Sequence, residues 1–210
     1  ARQDYQPAEI IIVDASDNDD TAQFLHNTLI NLASVIHYKK ANLKGAAAQR
    51  NQGVKDAQYE YIFFMDDDIV MEDDCVKRLW DGLQSEKNIG AVNAMITNQH
   101  YQSPGKVSLM MYKIMSGTIL SSYAGKCIGP AWNLLPEDNE NMPERNQVEW
   151  LNTTCTIYRK EALPNPVFPD LFQGYSLLED VALSLKIKKK WKLFNVRTAR
   201  VFHDSQPGTH

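Results

Sequence analysis

The sequence predicts an α/β fold, a mostly parallel sheet flanked by helices, in one domain over residues 1–210. Three observations carry this. Tyr61 to Met65 is an unbroken apolar run that ends on three carboxylates, Asp66, Asp67 and Asp68. Such a run without alternation reads as a strand buried on both faces. Glu9-Ile-Ile-Ile-Val-Asp14 repeats the pattern, β-branched aliphatics ending on an acid. Over the first half, runs of this kind alternate with amphipathic helical segments, the sign of βαβ units. Three adjacent acids would repel one another in a dry core, so they belong at the carboxyl edge of the sheet, where open α/β folds bind ligands. A hard divalent cation with oxygen ligands would compensate them.

The elements follow in order. After the strand ending at Asp14, Asp17 to Asp20 supply turn formers and N-caps. A helix is then expected whose apolar face is Phe24, Leu25, Leu29, Leu32, Val35 and Ile36. Ala46 to Ala57 reads as a second helix and carries Arg50 and Asn51. The Tyr61 strand comes next, then a helix from Asp73 to Gln84 with Val76, Leu79, Trp80 and Leu83 inward, and a strand from Ile89 to Ile96. Val107 to Tyr123 is amphipathic and rich in methionine. Its first reading is a core-facing helix, with a peripheral membrane face or an acceptor-site lid as alternatives. Pro130 to Asn146 reads as a loop, and Val148 to Tyr158 as one strand with Trp150 near its start. Glu179-Asp180 opens a helix whose last turn holds Lys186 and Lys188 to Lys190, which suits the negative end of the helix dipole. Leu193 to Val196 and Ala199 to His203 read as two short closing strands.

Composition narrows the function classes. The net charge of −4 gives no electrostatic case for a nucleic-acid partner. Three widely spaced cysteines, Cys75, Cys127 and Cys155, make neither a disulfide framework nor a metal-type spacing, so a reducing compartment is expected. No stretch reaches the ~18 apolar residues of a membrane span, and the polar N-terminus has no signal-peptide pattern. The expectation is a cytoplasmic protein, with peripheral membrane association on the cytoplasmic face as the variant.

Chemistry-bearing residues stand at four element ends: Asp14, Asp66 to Asp68, Glu179-Asp180 and His203. Each has a structural reading beside its functional one. Asp180 is in position to be a helix N-cap, His203 a hydrogen-bonded strand-end residue, and Arg50 half of a surface ion pair.

Ile11-Ile-Val-Asp-Ala-Ser16, Arg50-Asn-x-Gly53, Phe64-Met-Asp-Asp-Asp68 and Leu178-Glu-Asp-Val-Ala-Leu183 together resemble the family 2 glycosyltransferases of the GT-A fold. These are nucleotide-diphospho-sugar transferases with a Rossmann-like sheet. The resemblance runs from Arg2 to His203. It implies a nucleotide-sugar-binding half, 1–98, and an acceptor and catalytic half, 99–210. It also implies that the family's first strand and helix are lacking, so that the domain is N-terminally truncated and the Asp14 strand keeps an unpaired edge.

By the same resemblance, Asp14 would bind the donor's base, Arg50 would line the base and ribose side, and Asp66 would contact the ribose. Asp68 would hold Mn²⁺ or Mg²⁺ at the diphosphate, His203 would complete the metal shell, and Asp66 would contribute to it. Asp67 belongs with the donor-binding group without a defined contact. Asp180 would be the general base, with Glu179 beside it. The implied reaction is inverting, metal-dependent, non-processive transfer from a nucleotide-diphosphate sugar to a hydroxyl of a carbohydrate, lipid-linked or small-molecule acceptor. The Gln-x-x-Arg-Trp motif of processive synthases is absent, and Ala15 stands where the family often has a second acid. Trp132, Trp150 and Tyr175 are candidates to stack on an acceptor sugar. A nucleotidyltransferase-like enzyme, a metal-dependent hydrolase and a catalytically impaired sugar- or nucleotide-binding domain are the competing readings.

Overall fold

A computed structural model describes residues 3–28, 35–129, 132–172 and 178–204. The chain opens with β1 (Glu9–Asp14), α1 (Asp20–Thr28), β2 (Val35–Lys40) and α2 (Ala46–Asp56). It continues with β3 (Tyr61–Met65), β4 (Ile69–Met71), α3 (Cys75–Gln84), β5 (Ile89–Ile96) and α4 (Lys106–Ser116). The short strands β6 (Cys127–Ile128) and β7 (Trp132–Asn133) precede β8 (Arg145–Val148), β9 (Cys155–Arg159), α5 (Glu179–Ile187) and β10 (Lys192–His203).

The α/β class holds, but the sheet is mixed, where the sequence suggested mostly parallel pairing. The order is β3-β9-β5-β10-β4, with β8 also paired to β10. Among the described residues of this sheet only β5 and β10 pair parallel. β9 comes from late in the chain and enters antiparallel between β3 and β5. An apolar run reports burial on both faces and not strand direction, so this insertion leaves no mark on the sequence. β1 and β2 form a separate parallel pair, from Glu9 beside Val35 to Asp14 beside Lys40. Among the described residues β1 has no strand on its other side.

Alternation sorts the side chains into two cores. On one face Phe64, Tyr158, Phe168, Leu183 and Leu193 pack with α2 and α5. On the other, Leu79 and Leu83 of α3 pack on Val92, Ile157 and Val196. Tyr158 and Ile157 are sequence neighbours on opposite faces, the two-residue period of a strand buried on both sides. Every residue of β5 is buried, which makes it the central strand.

Four expectations are corrected. The helix expected to run to Ile36 ends at Thr28. Val35 and Ile36 lie in β2, where β-branched residues suit the ladder with β1. Leu29 and Leu32 lie outside the described residues. The strand expected from Val148 to Tyr158 begins only at Cys155, as β9 between β3 and β5; Val148 instead ends β8, which pairs with β10 and starts at Arg145 inside the expected loop, where β7 also lies. The two closing strands are one, β10, with a register irregularity between Val196 and Arg200. Finally, α4 is not core-facing through its methionines. Tyr112 is its buried residue, while Met110, Met111 and Met115 are exposed.

Candidate active site

The site forms where the carboxyl ends of β1 and β3 meet the N-terminus of α5 and the end of β10. β3 runs out at Met65, and the Asp66 N–H donates to the Thr154 carbonyl at 3.0 Å, fixing the first acid beside β9. Three residues later the chain re-enters the sheet as β4, antiparallel to β10, with Ile69 opposite His203. That register sets Asp68 against the last residue of β10. His203 Nε2 lies 3.1 Å from the Asp68 carboxylate, and the Asp204 N–H donates to the Asp68 carbonyl at 2.8 Å. Asn98, just past β5, clamps His203 from the other side. Its Oδ1 accepts the His203 N–H at 3.1 Å and its amide donates to the His203 carbonyl at 2.7 Å.

One ligand atom from each of Asp66, Asp68 and His203 lies within 4.8 Å of the others. Two carboxylates and an imidazole are a donor set that suits Mn²⁺ or Mg²⁺. Nε2 is the His203 ring nitrogen turned to the cluster, and Nδ1 is buried without a hydrogen-bond partner among the described residues. The residues therefore fit a divalent ion. Asp67 is not part of this cluster: it is exposed, and its carboxylate has no hydrogen bond or ion pair among the described residues.

α2 ties the two sheets together through three successive side chains. Gln49 donates to the Val13 carbonyl of β1 at 2.7 Å. Arg50 donates to the Asp66 carboxylate at 2.6 Å and reaches Glu179 at 3.8 Å. Asn51 closes a two-way pair with Phe168, donating to its carbonyl at 2.7 Å and accepting its N–H at 2.9 Å. Arg50 is thus no ordinary surface pair. Its side chain is largely buried and links the acid at the end of β3 to the acids that open α5.

Asp180 sits at that opening, two residues after Leu178, which takes a left-handed φ of 67°. A leucine there carries about 1–2 kcal/mol of strain, a cost that persists where surrounding structure over-determines it. Burial first, and then the Glu179 charge, push the Asp180 carboxyl up to about 6, against the opposing pull of the Val181 N–H and Arg50. The Val181 N–H donates to Asp180 Oδ1 at 2.7 Å. A carboxyl poised near neutral pH is what a general base requires. The buried Tyr158 hydroxyl lies close enough to feel both Asp180 and Arg50.

Asp14 ends β1 with its oxygens already engaged. They accept the Ser16 N–H and hydroxyl, each at 2.8 Å, the Tyr38 hydroxyl at 2.8 Å and the Lys40 ammonium at 3.2 Å. These bonds, led by the Ser16 backbone, hold its carboxyl well below the usual carboxylate range. Asp14 is therefore an ionised, pre-oriented acceptor.

The acceptor candidates fare differently. Trp150 is buried, and its indole N–H donates to the Leu134 carbonyl at 2.9 Å, so its ring faces are packed and not open for stacking. Tyr175 lies outside the described residues. Trp132 is exposed and meets Tyr112 edge-on, with centroids 5.1 Å apart. A polar hollow of about 470 Å³ is lined by His100, Tyr101, Ser103 and Glu137 to Glu140, within the half expected to receive the acceptor.

The sequence reading missed Tyr38, Lys40, Asn51 as a clamp, and Asn98. Tyr38 and Lys40 were hidden by the misplaced helix. Asn51 was visible only as the neighbour of Arg50. Asn98 carries no local signal, since its role depends on the pairing of β5 with β10.

Comparison with known proteins agrees with this fold. Residues 1–165 match the family described as glycosyl transferase family 2. A poly-beta-1,6-N-acetyl-D-glucosamine synthase of Staphylococcus epidermidis is 25% identical over 186 residues, 88% of this chain and 39% of that protein. The same enzyme of Staphylococcus aureus is 28% identical over 120 residues, 56% of this chain and 29% of that protein. The chain thus spans well under half the length of these relatives. Among solved structures, GalNAc-T7 with UDP, GalNAc and Mn²⁺ superposes with a TM-score of 0.64 at 16% identity, over 93% of this chain and 37% of that one. S. aureus TarS 1-349 with UDP-GlcNAc gives a TM-score of 0.60 at 16% identity, over 99% of this chain and 53% of that one.

Proposed function

The chain belongs to glycosyl transferase family 2 and has the GT-A fold, and from this we propose that it transfers a sugar from a nucleotide-diphosphate sugar to an acceptor hydroxyl, with inversion, a divalent metal and one transfer per binding event. One observation carries the reading. The Asp66, Asp68 and His203 cluster lies at the sheet edge and is joined through Arg50 to the Glu179-Asp180 end of α5. A site for a diphosphate and a site for a base are thereby held by one side chain.

Asp68, His203 and Asp66 would hold Mn²⁺ or Mg²⁺. When bound, the ion supplies positive charge to the diphosphate as its bond to the sugar breaks. Everything else falls to the chain. Asp14 accepts from the base, Arg50 orients Asp66, and Asn98 fixes the His203 backbone. Asp180 takes the proton from the acceptor hydroxyl as its oxygen forms the new bond at the anomeric carbon. The electron pair of the old bond leaves with the diphosphate. Attack from the face opposite the leaving group, with one base and no covalent intermediate, inverts the centre. Residues 1–98 form the donor half and 99–210 the acceptor half, with the polar hollow around His100 and Glu137 as the first acceptor region to probe.

UDP-N-acetylhexosamines are the donors of first choice, since UDP-GlcNAc is bound in TarS, UDP and GalNAc in GalNAc-T7, and N-acetylglucosamine is named in the synthases. The test is a thermal-shift screen of nucleotide sugars with and without Mn²⁺, followed by product analysis. A Mn²⁺-dependent shift with one donor, and transfer to a hydroxyl, is expected. No shift with any donor would overturn the reading.

A further inference from the structure

The transfer site leaves one large feature of the surface unused. On α4, Val107, Met110, Met111, Ile114 and Met115 recur at i, i+3, i+4, i+7 and i+8, a single face at about 100° per residue. That face is turned to solvent: Val107 is 73% exposed, Met110 61% and Ile114 74%. Ile119 and Leu120 extend it beyond the helix. The helix itself is pinned. Tyr112, on its opposite side, is buried edge-on against Tyr123 at 5.2 Å and Trp132 at 5.1 Å, with Leu109 packed beside them. The exposed stripe is therefore a fixed apolar surface held out from the domain, of the kind that marks an interaction site.

Charge identifies the occupant. Lys106 and Lys113 flank the stripe on one side, exposed and without a carboxylate partner among the described residues. From Lys87 to Pro136 the sequence contains no Asp or Glu, although the chain has 26 of them, while Lys87, Lys106, Lys113 and Lys126 all fall inside that stretch. We propose that this face of α4 lies on an anionic lipid surface, its methionines, Val107 and Ile114 in the acyl boundary and Lys106 and Lys113 at the headgroups. A second copy of the chain fits less well. An isologous contact would bring the two copies' lysines together with no acid on the helix to receive them.

The inference is independent of the transfer reading, because it is tested without sugar nucleotide. The intact chain is co-sedimented with vesicles of phosphatidylcholine plus phosphatidylglycerol, and with phosphatidylcholine alone, at low and high salt. Binding to the anionic vesicles is expected, weakened by salt and by omission of phosphatidylglycerol. Met110→Asp with Ile114→Asp should reduce it about tenfold or more, and Lys106→Glu with Lys113→Glu should do the same through the headgroups. Because these side chains are exposed, circular dichroism should be unchanged. If the aspartate pair fails to fold, Met110→Gln with Ile114→Gln is read in its place. Absence of binding to anionic vesicles, binding undiminished by the α4 substitutions, or a concentration-dependent dimer that the same substitutions dissolve would overturn the proposal.

Discussion

Asp180→Asn should make the protein more stable at pH 8 while removing its transfer activity. Burial and the adjacent Glu179 hold the Asp180 carboxyl near 6 instead of 3.8. At about 1.4 kcal/mol per pH unit, ionising it costs the folded state about 3 kcal/mol relative to the unfolded chain. The sign follows from which form the fold prefers. A raised carboxyl favours the protonated state, so its contribution to stability is full below 3.8 and is lost as pH rises through about 6. Asparagine keeps the shape, and its oxygen still accepts the Val181 N–H. At pH 8 the variant should gain up to about 3 kcal/mol, or up to about 10 °C in Tm for a chain of this size, and near pH 4 it should gain little. Urea titration at the two pH values measures the difference. Transfer by the natural chain should fall about tenfold per pH unit below 6, with its acid limb set by this group. A variant no more stable than the natural chain at pH 8, or an acid limb displaced to about pH 4, would refute the assignment of a buried, near-neutral base.

Further outcomes follow from the packing around the site. Asn51→Ala removes both bonds to Phe168, leaving a buried N–H and carbonyl unpaired, and should cost about 2–3 kcal/mol in urea unfolding. A loss under 0.5 kcal/mol would mean that α2 is not held there. Gly125→Ala meets two obstacles: φ is +68°, and the new Cβ would stand 2.4 Å from Val148 Cγ1. A loss of about 2 kcal/mol or more is expected, read by thermal melting. Arg50→Gln removes the cation that draws the Asp180 carboxyl down, so the acid limb of the pH–rate profile should move upward. No movement would uncouple the two halves of the site.

The apolar runs of β3 and β5 were legible because burial on both faces writes itself directly into composition. The sheet's direction was not, since β9 joins β3 and β5 through pairing that no local pattern encodes. Val35 and Ile36 show a second limit. Two apolar residues at helical spacing after Leu29 and Leu32 fit an extended helix as well as a new strand, and only the β1 ladder decides between them. For α4 the period was right and the side wrong. Periodicity gives the existence of an apolar face but not which face the core covers, and here the core holds Tyr112.

Of the candidate site, the residues at element ends could be read, because acids that end apolar runs have few places to go. What brings Asp68 to His203 is the β4–β10 register across most of the chain. Arg50 carried only the hint of its motif, and its span from Asp66 to Glu179 needed the geometry.

The central claim is that Asp68 and His203 hold the ion that binds the donor diphosphate. It is tested most directly by calorimetric titration of UDP into the chain with Mn²⁺ present, using the natural sequence, Asp68→Ala and His203→Ala. The account predicts Mn²⁺-dependent binding by the natural chain, its loss in Asp68→Ala, and a weakening of about tenfold or more in His203→Ala, with circular dichroism unchanged. Equal Mn²⁺-dependent binding by Asp68→Ala and the natural chain would contradict it.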